Sequence, residues 1–385
     1  MRGDRQQDLP FPLARPGLAL SRRRMLASGA AALLLAGCDR APDLIGIDNP
    51  EEPVLTAKTG WEHKVFIGTT RQASEVVGAL YGSARAPALG LASVDVHVPP
   101  NHVQGDLERP MRLPPDPDTE FAIVAPTIYE TEDAFLREIN RELAKRPPGK
   151  RDILVFIHGY NNTTSDALLR LGQFVQDTNY EGVPVLFTWA SAAQLTKYVY
   201  DLNSALTARP QFGELAALLA RANVSGFDVF AHSMGAFLTM EGVLNLELQG
   251  KFNRRGRLKT LVLASPDIDI DLFESQLAQM NTARDKIFVL ISADDGALRV
   301  SRILSGGVDR LGAANAERVA SLGVNVIDLT EIDDSSSGSH TKFAGSPEVV
   351  QLIGRGLNAN PGAMRGSASV LGDLIDGLPI RIIPG

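Results

Sequence analysis

The chain reads as an α/β fold, a mostly parallel central sheet with helices on both faces. Three observations predict it. From residue 151 onward, short apolar runs alternate with amphipathic helical stretches, the pattern of successive βα units. The central runs, such as Ile153–Ile157 and Ile287–Ile291, are apolar throughout, as burial on both faces requires. Candidate reactive residues follow directly on these runs, where open α/β sheets keep their ligand sites.

Taken in order, Val65–Gly68 and Leu91–Val98 open the domain as strands. Residues 99–118 hold six prolines and read as an exposed loop, and Phe121–Ala125 is a further short strand. Glu132–Lys145 places Phe135, Leu136, Ile139 and Leu143 on one helical face. Then come the strand Ile153–Ile157, a helix over 165–177, the strand Val183–Thr188 and helical pieces over 194–221 broken near Pro210. Phe227–Phe230 is a strand with a helix directly after it. Thr260–Ala264, Ile287–Ile291 and Val324–Leu329 are strands followed by helices near 271–280, 297–304 and Pro347–Leu357. Residues 61–358 form one domain on this reading, with 359–385 as a Gly-rich tail.

At 385 residues, 44% apolar and 22% charged, the composition is that of a globular protein with a sizeable core. The formal charge is −7; residues 1–38 carry six Arg and two Asp, so the remainder stands near −11. That balance offers no basic face for nucleic acid.

The amino terminus reads as an export signal. Arg22, Arg23 and Arg24 precede the weakly apolar run Ala27–Ala36, which ends in Leu35-Ala36-Gly37-Cys38. Paired arginines before an apolar run resemble the twin-arginine type, and Leu-Ala-Gly-Cys resembles a lipobox. Cys38, the single cysteine, is then a lipid anchor on a membrane facing the periplasm, and residues 39–60 are a tether. Asp39 resembles an inner-membrane retention signal.

The centre of the chemistry is Ala231-His232-Ser233-Met234-Gly235, between a strand and a helix. A serine at the apex of so sharp a turn, flanked by small residues, is the pattern of a nucleophile elbow; the alternative is a helix-capping serine. A serine hydroxyl needs a base, and the base needs a carboxylate to orient it. In hydrolases built on this elbow the acid and then the base follow the nucleophile in the chain. Of the six histidines only His340 follows Ser233, in a Ser-rich loop after the last strand. The acid is expected after Ile287–Ile291, where Asp294 and Asp295 are adjacent: one can orient the histidine while the other caps a helix. Asp267, Asp269 and Asp271 form a second acidic group, read as a solvated loop rather than a metal site. Oxyanion donors are expected at the Met234 N–H and, in His158-Gly159-Tyr160-Asn161-Asn162, at the Tyr160 N–H. Trp189, His158 and Asn161 are candidate site walls. Residues 194–221 and 297–322 are candidate covers. The chemistry calls for no metal or organic cofactor.

These residues together resemble a family of proteobacterial α/β hydrolases of uncharacterised function, labelled esterases or lipases. The resemblance runs from about Lys64 to Leu357. It is carried by Val65-Phe66-Ile67-Gly68-Thr69-Thr70-Arg71, Phe156-Ile157-His158-Gly159-Tyr160-Asn161-Asn162, Phe187-Thr188-Trp189-Ala190-Ser191 and Ala231-His232-Ser233-Met234-Gly235, with Asp295-Gly296-Ala297-Leu298 and Gly338-Ser339-His340. It implies an α/β-hydrolase fold, a nucleophile at Ser233, a base at His340 and, through Asp-x-Ala-Leu, Asp295 rather than Asp294 as acid. Trp189-Ala190-Ser191 departs from the family's Trp-Pro-Ser, which bears on one pocket wall. A serine hydrolase acting on small ester or acyl substrates is implied; the competing reading is a binding lipoprotein on the same scaffold.

Overall fold

A computed structural model describes residues 54, 59–76, 79–333, 339–358 and 379–385. The expected signal segment, Cys38, Asp39 and most of the tether lie outside these residues. Val54, read as tether, is buried.

The strands are β1 (Trp61–Ala73), β2 (Tyr81–Val98), β3 (Ala122–Ile128), β4 (Ile153–Ile157), β5 (Val183–Thr188), β6 (Phe227–His232), β7 (Leu258–Ala264), β8 (Ile287–Ile291), β9 (Asn325–Asp328) and β10 (Arg381–Ile383). They form one sheet in the order β10-β9-β8-β7-β6-β4-β5-β1-β2-β3. β2 and β10 run antiparallel to their neighbours and the rest share one direction. The helices are α1 (Glu132–Ala144), α2 (Thr164–Asp177), α3 (Tyr198–Thr207), α4 (Arg209–Leu219), α5 (Met234–Leu248), α6 (Ile270–Ala278), α7 (Gly296–Leu304), α8 (Ala316–Ala320), α9 (Lys342–Gly345) and α10 (Pro347–Asn358). None is long and apolar enough to cross a membrane.

Strand alternation divides the core in two. Ile153, Val155 and Ile157 of β4 face a layer containing Phe135 of α1, Leu215 of α4, Met240 of α5 and Phe273 of α6. Leu154 and Phe156 face the opposite layer, with Leu168 and Phe174 of α2, Phe343 of α9 and Leu352 of α10. Caps fix the helix starts: the Thr131 hydroxyl accepts from Ala134 N–H, and Thr163 with Asp166 forms a capping box on α2. Pro210 sits in the first turn of α4, so the 194–221 segment breaks as its sequence requires.

Three expectations need correction. β1 and β2 are longer than their apolar runs, because they pair as an antiparallel ribbon that continues through the mostly small, exposed or half-exposed residues 82–90 of β2; His63 lies on β1, bonded to Gln176 at 2.8 Å. Arg381–Ile383, placed in the tail, is an edge strand on β9. The proline-rich 99–118 segment is only partly exposed: Pro110, Pro115 and Pro117 are buried, and His97 Nε2–H donates to Pro117 O at 2.8 Å.

His102 fastens that segment to α2. Its Nδ1 meets Glu108 Oε2 and its Nε2 meets Asp177 Oδ1, each at 2.7 Å, so both ring nitrogens donate and the ring is an imidazolium. Burial opposes the charge, yet the hydrogen bonds and charges of Asp177 and Glu108 outweigh it and raise the pKa above 6.5. A raised pKa contributes stability that is complete below the unfolded value and disappears as pH rises through the folded one. Denaturation from pH 6 upward into the alkaline range should therefore show a loss of stability that His102→Gln does not show; equal pH dependence in both proteins would refute the clamp.

Candidate active site

β6 ends at His232 and α5 begins at Met234, so a single residue makes the turn. Ser233 has φ 53° and ψ −123°, a region closed to most side-chain-bearing residues that costs about 1–3 kcal/mol. Its backbone is held on both sides. Ser233 N–H donates to Ala264 O at 3.0 Å, and Ser233 O accepts from Ala236 N–H at 3.0 Å and Asp267 N–H at 3.2 Å. A Cβ on residue 235 would lie 2.3 Å from His158 O and 2.8 Å from Ile157 O, so glycine is required there. Ala231, fully buried, shows that the first small position tolerates one methyl group.

The loop after β4 meets the elbow equally closely. A Cβ on residue 159 would lie 2.7 Å from His232 Nδ1 and 3.0 Å from Ser233 Cβ. Among the described residues the Tyr160 N–H takes no acceptor, and Met234, the first residue of α5, has no intrahelical one. Asn161, at φ 58°, donates its N–H to Asp201 Oδ2 at 3.3 Å, while Asn162 Nδ2 donates to Tyr160 O at 2.7 Å. Both asparagines therefore shape the turn.

His158 and Trp189, considered as walls, lie in the core instead. Trp189 is fully buried; its indole N–H donates to His158 O at 2.9 Å and its ring stacks on the imidazole at 5.1 Å. Trp189 N–H points at His158 Nε2, so the proton resides on Nδ1 and is donated to Gly159 O at 2.9 Å. Burial, helped by nearby Arg71, pushes the His158 pKa down to about 3 and keeps the ring neutral.

Asp295 is fully buried and does two jobs. Oδ1 accepts from Leu298 N–H at 3.0 Å as the N-cap of α7, and Oδ2 accepts from His340 Nδ1–H at 2.8 Å. The alternatives weighed for the Asp pair thus resolve onto one residue, because the two oxygens diverge. Asp294 faces away: it accepts from Ser292, from Ser339 at 2.6 Å and from Lys342 Nζ at 3.0 and 3.1 Å. Burial works to raise its pKa, but these partners lower it. Lys342, 1% exposed, also donates to Leu329 O and Thr330 O. Two residues past His340, it ties the histidine's loop to the aspartate's loop. Ser335, Ser336, Ser337 and Gly338 lie outside the described residues.

His340 is linked to the turn through His232, the residue before Ser233. The His232 ring lies 4.7 Å from that of His340, and its Nε2–H donates to His340 O at 3.2 Å. His232 thus supports His340 from the neighbouring turn. Burial, then the neighbouring His340, holds its pKa well below 6.5. With Nδ1 bound to Asp295, His340 keeps Nε2 for other partners. Among the described residues neither that nitrogen nor the Ser233 hydroxyl makes a hydrogen bond.

The Asp267 group is not a solvated loop. Asp267 is buried and pairs with Arg310 Nε at 2.6 Å, and it accepts from Ser301 at 2.5 Å and Tyr198 at 3.0 Å. Asp269 caps α6 and Asp271 pairs with Arg318. No group of three or more His, Cys, Asp or Glu among the described residues could hold a metal ion. Beyond the expected residues, Arg71 and Asp201 lock the loop after β4. Arg71 donates to Asn162 O at 2.7 Å and Ser191 O at 3.1 Å, and Asp201 accepts from Ser191 at 2.5 Å. Arg71 lay within a quoted motif, but nothing local marked Asp201.

Comparison with known proteins agrees with this geometry. No curated protein matches the chain. Among solved structures, a crystal structure of Plasmodium falciparum PdxK with ligands AMP-PNP and PL is similar at 8% identity and a TM-score of 0.30, over 61% of this chain and 99% of that one, a likeness that carries no argument. Residues 131–356, more than half of the chain, match the family described as alpha/beta hydrolase of unknown function. That match places the chain in the alpha/beta hydrolase family DUF900, and the mostly parallel sheet is consistent with it.

Proposed function

We propose that the protein is a serine hydrolase of carboxylic esters, exported and anchored to a membrane through Cys38. The observation that carries the reaction is the 2.8 Å pair between buried Asp295 and His340, whose ring packs on His232, the residue before a serine held on a strained strand-to-helix turn. Ser233 Oγ attacks the acyl carbon and gives its proton to His340 Nε2. Asp295 keeps Nδ1 protonated and stabilises the imidazolium that forms. The Met234 and Tyr160 N–H groups, lacking other acceptors, receive the developing oxyanion. His340 then protonates the departing alcohol, and water, deprotonated by His340, cleaves the acyl-enzyme. That Ser233 and His340 make no hydrogen bond among the described residues is compatible with a resting site, since such contacts tighten with substrate bound. The competing reading is a binding lipoprotein on the same scaffold, with a peptidase or acyltransferase on the same site as a further one, and one experiment separates catalysis from binding.

A fluorophosphonate probe should label the wild-type protein and not Ser233→Ala, whose turnover of p-nitrophenyl esters should fall by about 10⁴-fold or more. A folded but unlabelled wild type would establish the binding reading. Asp295→Asn keeps a good N-cap for α7 while removing the carboxylate, so ester turnover should drop by about 10³–10⁴-fold with circular dichroism unchanged. Lys342→Met leaves buried carbonyls unsatisfied and frees the His340 loop from Asp294. It should cost about 2–3 kcal/mol in urea unfolding and slow probe labelling, with Asp294→Asn weaker in the same direction. Labelling at the wild-type rate in Lys342→Met would remove its positioning role.

A further inference from the structure

Two segments that leave the carboxyl edge of the sheet carry an unusual surface. Of the twelve large hydrophobic side chains exposed among the described residues, five lie on them: Leu195 and Val199 after β5, and Val300, Ile303 and Leu304 on α7. Ser301 and Leu298 turn inward, so positions 300, 303 and 304 form one outward stripe at helical spacing. Tyr198 OH meets Ser301 Oγ at 3.0 Å, which sets the two segments side by side. Both are tied to the candidate site: Tyr160 OH donates to Leu195 O at 2.6 Å, and Asp295 caps α7.

Cations are interleaved with this stripe. Lys197 and Arg299 are exposed and make no ion pair among the described residues, and Arg302 shares its charge with exposed Asp309 at 3.2 Å. The carboxylates beneath, Asp201 and Asp267, are buried and committed to other partners. A basic apolar rim thus lies on a chain whose net charge is −7. We propose that this rim docks the domain on an anionic phospholipid bilayer and turns the mouth of the site toward the acyl region. Apolar side chains flanked by Lys and Arg are what an interfacial element presents to such a surface. A second copy is the poorer occupant, because a self-complementary contact would set these cations against their own counterparts. The inference goes beyond the ester-hydrolase reading and does not depend on it, since binding rather than turnover is measured.

The test uses the full chain with Cys38→Ser, which frees the background of thiols, and Val300→Cys labelled with an environment-sensitive nitrobenzoxadiazole dye. Vesicles of phosphatidylcholine with phosphatidylglycerol should shift its emission to the blue, and phosphatidylcholine alone far less. A dye at Glu62→Cys, at the opposite edge of the sheet, should not respond. Arg299→Gln with Arg302→Gln should weaken the response to anionic vesicles by about tenfold or more, as should high salt. No shift at residue 300, an equal shift at residue 62, or a shift that follows protein concentration without vesicles would overturn the proposal; the last would mark a self-association surface.

Discussion

No Cβ fits at residue 235, and the rest of the site follows from that contact. The amino end of α5 lies against the carbonyls of Ile157 and His158, and Gly159 lies against His232 and Ser233. Two adjacent parallel strands, β4 and β6, therefore deliver their following loops to one point. The loop after β4 must carry its donors there, and the serine must adopt a strained backbone to clear it. Neighbours hold both conditions in place: Ala264 and Asp267 grip the elbow backbone, while Arg71, Asp201 and neutral His158 grip the opposing loop. About 1–3 kcal/mol of local strain is affordable only within such a frame.

The carboxylates at 294 and 295 show how one strand end serves two purposes. Asp295, turned inward, spends one oxygen on a helix cap and the other on an imidazole, so the cap fixes the orientation of the catalytic candidate. Asp294, turned outward, gathers Ser292, Ser339 and Lys342. A buried ammonium is costly alone, but Lys342 meets a carboxylate and two carbonyls and so is satisfied. The distant loop bearing His340 is thereby fastened on both sides of the histidine.

What was legible in the sequence was what depends on near neighbours in the chain. The short apolar strands, the break at Pro210 and the tight strand-to-helix turn at Ser233 stand at the expected places in the structure. The outer halves of β1 and β2 were not legible, because ribbon pairing replaces apolar alternation there. Nor was the packing of the proline-rich segment, which rests on an imidazolium between two carboxylates, one of them 75 residues away. Asp201 and Lys342 were invisible for the same reason. Their partners are a carboxylate, backbone carbonyls and amides, and a hydroxyl brought close only by the fold, and a lone charged residue in a helix looks solvated until its neighbours are known.

The same distinction bears on how such a domain would meet a membrane. An acylated Cys38, as proposed, would restrain the distance between domain and bilayer without by itself choosing the face that meets it. Orientation needs a second contact, and weak contacts suffice once the first has raised the local concentration. The rim at 195–199 and 299–304 has the composition for that contact and lies on the edge where β5, β6 and β8 end. β1 enters the sheet from the other edge, since it runs parallel to β5. On the proposed reading, the face offered to lipid would be decided by the same loops that build the site.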